Sequence, residues 1–241
     1  MGPHPHRFAI VAAVLWFGFG LGGRAEAGMM LQTPAGLNPG DQFRFVFVTD
    51  GIRDATSTNI ADYDSFVNAQ AGGATYNGVV VNWLAIGSTD SVDAIDHVGQ
   101  ANAPVFLSDG TPVSSSTTTA GLWSGTIRNP INLDIAGNPV EPSFLVWTGT
   151  NPTGTGFGGP LGSGRPQAGS TTDTLGAWVS SGSSPGGDLR HAYGISSVLI
   201  PQSSVPEPST LTMLGTALSA GLAIGLARHP RHQKRGVPGT P

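Results

Sequence analysis

Between residues 28 and 204 the hydrophobic positions fall into short blocks separated by Gly, Pro, Ser and Thr, and the blocks change character near residue 100. Residues 43–49 (FRFVFVT) are aromatic and β-branched with almost nothing polar, the pattern of a strand buried on both faces. Residues 59–71 then place Ile60, Tyr63, Phe66 and Val67 on one helical face, with Asn59 as cap and Gly72 as stop. Residues 79–86 (VVVNWLAI) predict a second strand, and residues 91–98 a short helix started by Asp90. After residue 100 come short strands and tight turns. Residues 105–107 lead into Asp109-Gly110, a dipeptide that tolerates positive φ and makes hairpins, and residues 132–135 precede Gly137-Asn138. Residues 144–148 (FLVWT) form the next strong strand. Residues 152–174 lack periodicity and read as a long loop, residues 192–200 as the last strand, and residues 201–209 as a linker. Strand, helix, then a run of short strands is an α+β pattern.

Both ends of the chain depart from this pattern. Residues 1–27 combine an early cation, the uncharged run 8–23 and Ala25-Glu26-Ala27, which together make a secretory signal peptide cut by signal peptidase after Ala27. An uncleaved anchor helix is the alternative. Residues 210–227 hold eighteen residues without a charge. A helix of that length spans about 27 Å, close to the hydrocarbon core of a bilayer, and therefore predicts one transmembrane helix. Arg228, Arg231, Lys234 and Arg235 form a basic stop that keeps the 228–241 tail cytoplasmic and the body outside.

Composition narrows the chemistry. The chain has 241 residues and no cysteine, which excludes a disulfide scaffold, a cysteine-ligated zinc site, an iron–sulfur cluster and a thiol nucleophile. The 36 glycines and 19 prolines suit turn-rich β structure. Residues 28–204 carry five arginines, no lysine and thirteen acids, a formal −8. Such a body has no basic footprint for nucleic acid, and it is repelled by anionic polymers unless cations bridge the two.

Two resemblances add to this reading. Pro206, Glu207 and Pro208, the apolar span and the arginine-rich tail occur in that order. They resemble the PEP-CTERM sorting signal, a segment also called the ice-binding protein C-terminal domain, a name that implies no ice binding. The resemblance implies a Gram-negative bacterium that makes exopolysaccharide. It also implies an exosortase-type membrane protease that recognises the Pro-Glu-Pro motif and removes the helix. Within residues 41–200, the phrases Trp83-Leu84-Ala85-Ile86, Leu122-Trp123-Ser124-Gly125-Thr126, Val146-Trp147-Thr148-Gly149-Thr150, Gly176-Ala177-Trp178 and Tyr193-Gly194-Ile195-Ser196 follow one another. They look like a secreted bacterial domain of the DUF1554 type, related in fold to C-type lectins and the endostatin module. That resemblance implies a lectin-like domain over 28–200 in which first and last strands pair, two helices flank them, and a long loop carries any binding.

Candidate chemistry is sparse. Gly154-Thr155-Gly156-Phe157-Gly158-Gly159 spells a dinucleotide fingerprint, but Pro160, Gly162, Gly164 and Pro166 follow where the phosphate-binding helix would begin. Gly182-Ser183-Ser184-Pro185-Gly186 matches a nucleophile elbow, with His191 as the nearest base and prolines and glycines where the elbow needs a helix. Asp90, Asp93 and Asp96 repeat every three residues, and Asp134 and Glu141 supply further oxygens. These five are candidate ligands for calcium, which takes six to eight oxygens outside cells. The plainer reading of the same acids is a solvated face with helix caps. Trp123 and Trp178 lie in Gly/Ser surroundings and are candidates for an exposed sugar-binding surface, whereas Trp147 reads as core.

The expectation is therefore an exported, non-catalytic protein that requires no cofactor. It would be sorted through the inner membrane to the cell envelope or exopolysaccharide matrix, and its lectin-like module would contact polysaccharide. A passive matrix protein is the alternative. A third reading is a secreted hydrolase using paired acids among Asp90, Asp93, Asp96 and Asp134, or the Ser184–His191 pair.

Overall fold

The computed structural model describes residues 28–99, 103–114, 119–141, 144–156 and 158–202. The expected signal peptide 1–27, the Pro206-Glu207-Pro208 motif, the expected span over 210–227 and the basic residues Arg228, Arg231, Lys234 and Arg235 lie outside the described residues. Among the described residues no helix is long and apolar enough to cross a membrane.

The body is a mixed α+β structure. Its elements are β1 (Met30–Leu31), β2 (Arg44–Val48), α1 (Ile60–Gln70), β3 (Thr75–Tyr76), β4 (Val79–Val80), β5 (Trp83–Ala85), α2 (Ala94–His97), β6 (Val105–Leu107), β7 (Leu145–Trp147), β8 (Gln167–Ser170), β9 (Gly182–Ser183) and β10 (His191–Ser196). Two single 3₁₀ segments, Thr119–Ser124 and Gly176–Trp178, complete the set. The main sheet runs β6-β2-β10-β7-β8-β9, with β5 also on β10. β10 is its axis. One edge of β10 pairs antiparallel with β2, Gly194 facing Phe47. The other edge is shared: His191 and Ala192 pair parallel with β7, and Gly194 to Ser196 pair antiparallel with β5.

Alternation along β2 explains its unbroken apolar run. Phe43, Phe45 and Phe47 enter one core with Tyr63 and Val67 of α1, Trp83 and Trp147. Val46 and Val48 enter a second core with Val105, Leu107, Trp123, Trp178, Tyr193 and Ile195. The sheet is therefore covered on both faces, as the apolar run requires. Arg44 shares the second face and is 2% exposed. Its Nε donates to the carbonyl of Ser196 at 2.6 Å and its Nη1 to the carbonyl of Val98. Burial lowers its guanidinium to about 10, because leaving water disfavours the charged form.

α1 follows its sequence reading. Asn59 is extended at the cap, its side-chain oxygen accepts from the Ala61 amide at 3.2 Å, and Tyr63 and Val67 are buried. Gly72, just past the end, has φ +58°. The expected strand over 79–86 is instead two. Asn77 and Gly78 both take positive φ and fold β4 back on β3, Tyr76 opposite Val79. The chain then re-enters the main sheet as β5. Asn-Gly between apolar residues is a hairpin signal in its own right, because both turn positions need φ above zero. The expected helix over 91–98 begins later, at Ala94, with Asp93 rather than Asp90 at the cap. The expected loop over 152–174 contains β8, a strand of small residues that no apolar periodicity announces. The stretch 132–135 makes a single bridge, Leu133 to Pro139, and the last strand ends at Ser196.

Candidate functional site

The ground around α2 is where the most candidate residues meet. The Ser88 hydroxyl accepts from the Ala94 amide at 2.8 Å, doing the cap's work while Asp93 makes no cap bond of its own. Asp93 Oδ1 instead reaches across to accept from the Gly156 amide at 2.8 Å. The Ile95 amide donates to the carbonyl of Gly154, and Thr150 donates its hydroxyl to Ser88. Gly154 has φ +88°, and a Cβ there would stand 2.7 Å from Ile95 and 2.8 Å from Trp123. The glycines of the G-x-G-x-x-G string thus let a loop lie flat on a short helix. No helix follows them to hold a phosphate.

Beside this contact lies an open depression of about 380 Å³, lined by Thr89, Asp90, Asp93, Thr155, Gly156, Gly158 and Pro160. Asp90 is exposed and Asp93 half-buried, one oxygen already engaged. Asp96 is exposed on α2. Asp134 is 7% exposed, and both its oxygens are occupied: Oδ1 accepts from the Asn138 amide at 2.8 Å and Oδ2 from the Asn138 side chain at 2.9 Å. That turn closes through Gly137, φ +83°. Glu141 is exposed, and its neighbours Pro142 and Ser143 lie outside the described residues. Among the described residues, no three His, Cys, Asp or Glu side chains converge. The five expected ligands Asp90, Asp93, Asp96, Asp134 and Glu141 therefore do not form one site. Asp90 and Asp93 share a depression, and Asp134 is spent on its own turn.

The expected aromatic surface is overturned. Trp178 is fully buried and Trp123 is 7% exposed. Their rings pack on one another at 5.8 Å between centroids, and Trp178 lies 5.9 Å from Tyr193. A small flanking residue such as Gly176, where a Cβ would stand 2.9 Å from Pro152, signalled close packing and not exposure.

The elbow motif is also dismantled. Ser184 Oγ accepts from Arg190 Nη2 at 2.7 Å. His191 is 9% exposed, its Nδ1 lies 2.6 Å from the carbonyl of Thr49, and its ring stacks on Phe144 at 4.0 Å. A carbonyl only accepts, so Nδ1 carries a proton. The Ser184–His191 pair of the hydrolase reading does not form.

One contact went unanticipated. His97 Nε2 lies 2.9 Å from Asp64 Oδ1, which also accepts from the Ala85 amide at 2.8 Å. This cluster ties α1, β5 and α2 together. The two side chains are 33 positions apart in sequence and share no motif, so only the fold could bring them together.

No protein-family model and no curated protein matches the chain.

Proposed function

We propose that this is an exported, non-catalytic protein of the bacterial envelope. Residues 1–27 direct export and signal peptidase removes them. The 210–227 span holds the precursor in the inner membrane, and an exosortase-type protease recognises Pro206, Glu207 and Pro208. The 28–200 body, a lectin-like domain on this reading, is delivered to the envelope or exopolysaccharide matrix. The order of features at the carboxyl end carries the reading: a Pro-Glu-Pro motif, an eighteen-residue uncharged run, then Arg228, Arg231, Lys234 and Arg235. The body is consistent with it. Its first long strand β2 and last strand β10 pair, with two helices alongside.

Replacing Pro206-Glu207-Pro208 by alanines in the native host, followed by fractionation and mass measurement, tests the proposal. The variant should stay in the membrane fraction at unprocessed mass. Normal maturation would remove the exosortase step. Deleting the chain from Pro206 onward should release the body to periplasm or medium, and retention in the membrane would remove the anchor.

Within this reading, contact with polysaccharide is the weaker half. Burial of Trp123 and Trp178 removes the aromatic platforms that would bind sugar rings, and this favours a matrix protein without a ligand of its own. Binding of the chain to the host's exopolysaccharide, with and without calcium, separates the two.

A further inference from the structure

Among the described residues, exposed apolar side chains cluster at the small sheet β1-β3-β4 and the adjoining Ile200. Met30 is 64% exposed, Val79 70%, Val80 65% and Ile200 47%. Met30 and Val80 both register against Thr75, so they flank it on the same outward face. Val79, Val80 and Ile200 line one groove with Tyr76 and Leu199, a depression of about 290 Å³. Solvated valines at that exposure on an edge strand are a patch in need of a partner.

Two further observations identify the partner. Three stretches build this corner, 28–40, 71–89 and 192–202, and none contains an Asp, Glu, Lys or Arg, although the body carries eighteen such residues. The charges that bound the first two stretches are Asp41, which accepts from the Asn38 amide at 2.7 Å, and Asp90. The described residues also end at this groove. Gln202 lines it, and only seven residues separate Gln202 from Thr210, where the uncharged span begins. Eight extended steps reach at most about 28 Å. A body tethered so closely meets its own bilayer at effectively millimolar concentration, so weak apolar contact suffices to orient it. Elsewhere the acidic surface is repelled by anionic headgroups, and this corner is not.

We infer that the β4 edge, with Met30 and Val80 on its outward face and Val79 and Ile200 along the groove, is a membrane-contact face that lays the body against the bilayer beside its own span. The inference rests on the anchoring proposed above. Because the chain has no cysteine, one introduced thiol reports one position. Full-length V80C and L189C, each carrying an environment-sensitive dye, are reconstituted in phosphatidylcholine vesicles containing nitroxide lipids. Leu189 is 62% exposed and precedes β10, whereas Ile200 follows it, so it reports the opposite end of that strand. The dye at position 80 should be quenched at least about twofold more than the dye at 189, and V79D in the V80C chain should abolish the difference. Equal quenching in chains that float with the vesicles overturns the contact face and leaves the anchor standing. Failure to float overturns both. A dye at 80 shielded from an aqueous quencher but beyond reach of the nitroxide lipids assigns the patch to a second copy or to the chain's own linker, and overturns the inference.

Discussion

Gly169 gives the sharpest test of how the second core is built. It sits in the middle of β8, opposite Val146, in a stretch whose sequence reads as loop. A Cβ there would stand 2.1 Å from the carbonyl oxygen of Trp178 and 2.9 Å from the Cα of Val179, more than an ångström inside ordinary contact for the first. Both neighbours are backbone, so no rotamer change relieves the clash. Forcing a methyl into a packed core costs about 1–3 kcal/mol. Displacing the Trp178 carbonyl also disturbs the bond it accepts from the Tyr193 hydroxyl at 3.2 Å, which adds up to about 1 kcal/mol because that hydroxyl has a second acceptor in Ser170. Gly169→Ala should therefore destabilise the body by about 1–4 kcal/mol, a fall in Tm of about 2–16 °C for a domain of this size. Thermal and urea unfolding followed by tryptophan fluorescence measure it. Gly182→Ala, on neighbouring β9 with nothing within 4 Å, is the matched control and should change stability by less than about 0.5 kcal/mol. If both variants melt with the parent, the close approach of β8 to the Trp178 turn is wrong.

Other outcomes follow from single contacts. Asn59→Ala removes the acceptor for the Ala61 amide and should cost about 1 kcal/mol in urea unfolding, whereas Asn59→Asp should restore the cap. Burial of Tyr63 pushes its phenol up to about 12, and its hydroxyl donates to the carbonyl of Ser57 at 2.9 Å. The folded state therefore holds this proton more tightly than the unfolded chain. The stabilisation is complete below pH 10 and is lost as pH rises through about 12, so Tyr63→Phe should flatten the fall in stability over that range. Asp93→Asn keeps an oxygen for the Gly156 amide and should leave stability nearly unchanged, whereas Asp93→Ala should cost about 1–2 kcal/mol. A calcium-dependent rise in Tm that vanishes in Asp93→Asn would instead make Asp93 a ligand.

What the sequence made legible was what local pattern controls. The α1 cap and stop, the two-faced run of β2 and the Asp109-Gly110 turn each depend on residues a few positions apart. Residues 79–86 divide because β4 ends at Val80, paired back on β3 through the Asn77-Gly78 turn, and β5 starts only at Trp83; a continuous apolar string does not show that break. β8 was invisible because Gln167, Ala168, Gly169 and Ser170 carry no apolar period; its place is fixed by fit against β7 and the Trp178 turn. The functional residues fared worse for the same reason. Spacing brought Asp90 and Asp93 to one depression, but it could not show that Asp134 is consumed by Asn138 or that Ser184 faces Arg190 rather than His191. Trp123 and Trp178 were misread because glycine neighbours signify tight packing as readily as exposure.

The place of β10 has a bearing on biogenesis. The final strand of the body is the seam of the whole sheet, joining β2 on one flank to β5 and β7 on the other. A polypeptide emerging amino end first can form α1 and the β3–β4 hairpin early, yet β2 and β7 have no strand between them in the sheet until the 190s arrive. A chain stopped before residue 191 therefore lacks the strand that joins β2 to β5 and β7, and its main sheet is left in two parts.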